Sequence, residues 1–168
     1  SVSAFLLNRS SDLSSCFVSQ INSAPEDVRE RFLRRNPTAI EDYTLKVEAA
    51  VALKTSNQLY NRLSNEIPRL ASDVVLAPAD QQESKLKTNI ALLQNPNLSI
   101  EQVDNLTYEL HKQVDRGLIA SAIAQKDWST ALARLDSDDI SFTLSPAERI
   151  HYKTNIESAM REEQKAIA

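Results

Sequence analysis

Leu70-Ala-Ser-Asp-Val-Val-Leu76-Ala-Pro78-Ala-Asp80, followed by Lys87-Thr-Asn-Ile90, has a counterpart further along the chain. That counterpart is Leu135-Asp-Ser-Asp-Asp-Ile-Ser-Phe-Thr-Leu144-Ser-Pro146-Ala-Glu148, followed by Lys153-Thr-Asn-Ile156. Each reads as a helix end, a short polar crossing and a new helix opening at a proline, whose fixed φ and missing N–H suit a first turn. Joints of this kind build an all-α fold. The expectation is six or seven helices arranged as antiparallel hairpins, in a bundle or a short helical-repeat stack.

Composition agrees. The 168 residues hold one glycine and 5% aromatics, so the glycine-rich turns that β-hairpins consume are absent. The length suits one domain or two small subdomains. A net charge of −4 with both signs interspersed argues against a nucleic-acid binder working through a broad basic surface. Cys16 is the single cysteine, which excludes an intrachain disulfide and any Cys/His zinc spacing. No apolar run approaches the roughly 20 residues of a membrane span. The chain starts on Ser rather than Met, consistent with a fragment or processed product.

On both sides of the first joint the periodicity is helical. Phe5, Leu6, Leu13, Phe17, Val18 and Ile21 form an irregular stripe. Ser23-Ala24-Pro25-Glu26-Asp27 opens a short helix to about Arg35 that should bury Val28 and Phe32. After Asn36-Pro37-Thr38 a long helix carries Ile40, Tyr43, Val47 and Val51; it either continues through Leu59, Leu63 and Ile67 or breaks near Thr55-Ser-Asn57, and Pro68 ends or kinks it. Ser99 with Gln102 predicts a capping box, followed by the regular stripe Ile100, Val103, Leu106, Leu110 and Val114. Gly117 is a possible bend in that helix. Asp127 caps a short helix, and Ser145 with Pro146 opens the last. Residues 1–36 are thus expected as an N-terminal helical pair and 37–168 as the main domain. Duplication of hairpin units, about 38–98 and 99–168, would set Tyr43 over Tyr108 and Leu45 over Leu110; reuse of common capping residues is the competing explanation.

Candidate sites are few. Asp136, Asp138 and Asp139 are dense in acid, but Ile140 and Ser141 stand where a calcium loop needs a ligand and a glycine, so a solvated capping loop fits better. His111 and His151 lie on separate helices without ligand spacing, and Cys16 beside Phe17 reads as a small buried hydrophobe. Trp128, just after a turn, reads as a plug in its own hairpin corner. No Gly-rich phosphate loop, G-x-S-x-G or H-E-x-x-H occurs. No catalytic residue, metal ligand or cofactor site is therefore expected. Arg29, Arg31, Arg34 and Arg35 form the one basic cluster, with Arg31, Arg34 and Arg35 read as a face opposite Val28 and Phe32. An ordinary charged face is the stronger reading, with phosphate or an anionic lipid surface as the other possible contact. Tyr152, Ile156, Met160 and Ile167 stripe the last helix with nothing after them to cover it, and are the expected interaction face.

One stretch carries a resemblance. Ile119-Ala-Ser-Ala-Ile-Ala-Gln-Lys-Asp127-Trp-Ser-Thr-Ala131-Leu-Ala-Arg-Leu135, Leu144-Ser-Pro-Ala-Glu-Arg149 and Ile156-Glu-Ser-Ala-Met160 resemble a helical unit of phage internal virion proteins, the ejection proteins stored with the genome. The resemblance covers about the last 70 residues, and it implies a structural segment of a larger virion protein, without the transglycosylase region some of those proteins carry. Leu92-Leu-Gln, Leu98-Ser99 and Lys126-Asp127-Trp128 with Ala131-Leu132 are similar to the carboxy-terminal helical domain of the COPII outer coat and the steroid receptor RNA activator protein. That family's Trp-Met-x-Gly-x-Lys-Arg-Leu-Ile tail is missing here. The function expected is a non-catalytic structural or assembly module that contacts itself or other subunits, in a virion or the cytoplasm. The alternative is an adaptor that binds a partner helix.

Overall fold

The computed structural model describes residues 2–168, with side chains described from Asp12 onward; Phe5 and Leu6 of the first stripe lie outside the described side chains. The fold is all-α, with seven helices, 84% helical content and no strand among the described residues. The helices are α1 (Val2–Ser23), α2 (Glu26–Arg35), α3 (Ala39–Val75), α4 (Gln82–Leu93), α5 (Ile100–Ala124), α6 (Trp128–Asp136) and α7 (Pro146–Ile167). A 3-10 turn, Asp138–Phe142, links α6 to α7.

Several helix starts follow directly from local chemistry. Ser99 Oγ accepts from Gln102 N–H at 3.1 Å, and Gln102 Oε1 accepts from Ser99 N–H at 3.0 Å, which completes the capping box of α5. Ser145 and Glu148 do the same for α7, with Pro146 in the first turn. Asp127 Oδ1 accepts from Thr130 N–H at 3.1 Å to start α6. The α5–α6 turn requires a positive φ, +57° at Lys126. That costs energy for a side-chain-bearing residue, offset by the cap and by the packing on either side.

Two compact units divide the chain at Asn61/Arg62, inside α3 and not at residue 36. Residues 62–168 hold every buried residue described. Ile67, Leu70, Ala71 and Val74 from the end of α3, Leu106, Leu110 and Val114 from α5, and Leu93 and Leu98 between them are buried. Beyond these, Ile119, Ala122, Ala131, Leu135, Ile140, Leu144 and Ile156 form one cluster, against which Trp128, Tyr152 and Met160 pack. Sequential helices are neighbours here: α5 contacts α4 and α6, and α6 contacts α7.

Residues 12–61 differ. None is buried; Phe17 of α1 stacks on Tyr43 of α3 with ring centroids 4.0 Å apart. Val28 and Phe32, expected inside, are 46% and 40% exposed, because α2 packs no closed core around them. Cys16, expected to be buried, is exposed.

The long helix takes the continuous alternative past Thr55, and it does not end at Pro68. α3 runs through both positions to Val75. Thr55 donates its hydroxyl to Val51 O at 2.8 Å, a bond that leaves the helix intact. Pro68 costs a helix interior about 3 kcal/mol. Burial of Ile67, Leu70 and Val74, at roughly 1.5–3 kcal/mol each, outweighs it. The two segments compared in the duplication differ locally: residues 42–73 form one helix, whereas 107–138 run through α5, a turn and α6 to the start of the 3-10 turn. Leu45 is exposed where Leu110 is fully buried.

Candidate functional site

Of the four α7 positions expected to face a partner, three are engaged within the chain. Ile156 is 1% exposed, and Tyr152 and Met160 pack against the same cluster, because α7 folds back across α6. Only Ile167, 88% exposed, stands clear. Trp128 completes this contact from the other side. It is half-buried, packs on the cluster and donates its indole N–H to Glu163 Oε2 of α7 at 2.9 Å. Lys126 pairs with the same carboxylate at 2.7 Å, and these two donors hold Glu163 below the usual carboxylate range.

A polar cleft lies between α5 and α6. Asp115, Ser129, Thr130, Ala133, Arg134, Ser137, Asp139 and Ile140 line a volume of about 480 Å³. Burial pushes the Asp115 carboxyl up, opposed by the hydroxyl of Thr143, which donates to it, and by the nearby charges of His111 and Arg134. A displaced carboxyl in a cleft is a recognised sign of chemistry, yet its neighbours have structural partners. Thr130 donates its hydroxyl to the capping Asp127 at 2.6 Å, and Arg134 reaches Gln82 Oε1 at 3.4 Å. His151 pairs with Asn155 at 3.1 Å, far from this cleft in sequence and on another helix. Among the described residues no group of three metal-ligating side chains comes together. The three aspartates of the acidic loop are dispersed in this way: Asp136 pairs with Lys153, while Asp138 and Asp139 open the 3-10 turn.

A second, apolar groove sits at the α4–α5 corner. Leu98, Ile100, Val103, Pro96 and Asp104 are among its lining residues, with a volume of about 410 Å³. Ile100, the first member of the regular stripe, is exposed beside it.

Arg31, Arg34 and Arg35 of α2 are exposed and Arg29 is half-buried, but Arg31 and Arg35 do not lie opposite the apolar pair. Helical spacings of three and four place Val28, Arg31, Phe32 and Arg35 on one stripe. Arg31 pairs with Asp27 at 2.9 Å and Arg34 with Glu30 at 3.9 Å, both one turn back. Arg35 makes no ion pair among the described residues. On α3, Leu45 and Leu53 are 57% and 62% exposed; with Ala49 between them they form another stripe, flanked by the exposed Glu41 and Glu48. Sequence periodicity picked out neither α3 stripe residue, since the inner stripe Ile40, Tyr43, Val47 and Val51 was the stronger signal. No family model, curated protein or solved structure matches the chain.

Proposed function

We propose that this chain is a non-catalytic assembly module, a helical segment of a larger virion or other assembly protein that acts through protein–protein contacts. One observation carries the reading. No residue of 12–61 is fully buried, yet this segment displays Leu13, Val28, Phe32, Leu45 and Leu53 at 40% exposure or more. Apolar helix stripes that find no cover within their own unit gain free energy by finding it on another protein. Residues 62–168, with a closed core, act as the anchor that carries them. The resemblance of that anchor to phage ejection proteins favours a virion setting.

The test is molar mass by light scattering on the chain as given, across concentration. A defined or concentration-dependent oligomer is the expected result. A strict monomer throughout would contradict self-assembly and favour the second reading, an adaptor. For that reading the relevant feature is the apolar groove beside Ile100, open enough to take one side chain of a partner helix.

A further inference from the structure

The two uncovered stripes of residues 12–61 differ in the charge around them. On α2, Val28 and Phe32 share their stripe with Arg31 and Arg35. On α3, Leu45, Ala49 and Leu53 are flanked by Glu41, Asp42 and Glu48 and by Lys46, none of which makes an ion pair among the described residues. The α2 face is apolar with a net basic rim, in which Arg31 already pairs with Asp27 and Arg35 does not, and the α3 face is apolar with a net acidic rim. Both are exposed in the same molecule, so within the chain they do not cover each other.

We propose that two copies of the chain associate through these faces, the α2 stripe of each seating on the α3 stripe of the other. The inference rests on the assembly reading above and names its partner and its surface. A two-fold axis makes the exchange reciprocal, so both stripes of both copies are covered and the assembly closes at a dimer. Pairing α2 with α2 instead would bring Arg31 and Arg35 against their own copies, which like-charge repulsion disfavours. Overall charge points the same way. Residues 1–61 contain seven Lys and Arg and seven Asp and Glu, so the net −4 falls entirely on residues 62–168. Two neutral units can meet without net repulsion, while the acidic units repel a second mode of contact.

Arg35 and Glu48 test the pairing because each is exposed and makes no ion pair among the described residues, so reversing either leaves the described fold alone. Light scattering and sedimentation on the full chain would compare the natural sequence with Arg35→Glu, Glu48→Arg and the double variant. Each single reversal should weaken the dimer by about tenfold, added salt should weaken the natural dimer, and the double variant should recover most of the loss. An oligomer indifferent to both reversals would overturn this pairing and leave the assembly reading standing. A strict monomer would overturn both. Sedimentation with phosphatidylserine vesicles is the control arm. A monomer that binds them through Arg35, and loses binding in Arg35→Glu, would assign the α2 face to an anionic lipid surface and overturn the dimer.

Discussion

Gly117 shows how one residue sets the spacing of two helices. A Cβ there would stand 2.6 Å from Cγ2 of Val75, and valine is stiff at χ1 in a helix. The glycine therefore serves close approach of α5 to the end of α3, and the helix continues through it. Gly117→Ala gains up to about 1 kcal/mol of helix propensity but overpacks the contact, which typically costs 1–3 kcal/mol. A net loss of about 1 kcal/mol in denaturant unfolding is expected, largely relieved by pairing it with Val75→Ala; additive losses would contradict the contact. Asp115 is a carboxyl whose charged form its burial disfavours. Its folded pKa is raised by burial, so the ionised form opposes folding, and stability should rise as pH falls through that raised value. Asp115→Asn keeps an acceptor for Thr143, and should raise the melting temperature at pH 7 while flattening this part of the pH profile. Glu148, Glu163 and Asp127 carry the opposite sign. Their folded pKa values are depressed by hydrogen bonds and cationic partners, so their contribution is present above the usual carboxylate range and is lost as pH falls through the folded values. A profile of Asp115→Asn that matched the natural protein at every pH would remove Asp115 from this account.

At the scale of elements, what could be read from sequence was what neighbouring residues decide together. Ser99 with Gln102, Asp127, and Ser145 with Pro146 name three helix starts because a cap is satisfied within four residues. Trp128 as a corner plug follows from the same local logic, although its partner Glu163 lies 35 residues away. Pro68 is the counterexample. Locally it stops a helix; in the fold, buried neighbours on either side carry α3 past it. Pro68→Ala restores an N–H and should stabilise residues 62–168 by up to about 3 kcal/mol, read as a shift in the denaturant midpoint at constant slope. A destabilised variant would mean that the proline shapes the packing of Ile67 and Leu70. Asn89 and Asn155 make a similar point. Both sit in the Lys-Thr-Asn-Ile repeat, yet Asn89 is buried and donates to Leu70 O at 2.9 Å, linking α4 to α3, while Asn155 is exposed beside His151. Asn89→Ala should cost about 1–2 kcal/mol and Asn155→Ala almost nothing. Identical local sequence takes its role from what stands opposite.

At the scale of the whole molecule, a periodic stripe announces that a face is apolar, not what covers it. The stripe Tyr152, Ile156 and Met160 is covered by the chain's own α6, and Val28 with Phe32 is left open; in sequence the two look alike. The central claim is that residues 62–168 are stable alone and residues 12–61 complete themselves on another molecule. Backbone hydrogen exchange of the full chain at a low and a high protein concentration tests this most directly, since protection reports the local free energy of opening. The account predicts strong, concentration-independent protection across α5, α6 and the buried end of α3. In α2 and the first half of α3 it predicts protection that is weak when dilute and rises with concentration. Equal protection of both units at low concentration, unchanged on concentrating, would contradict it.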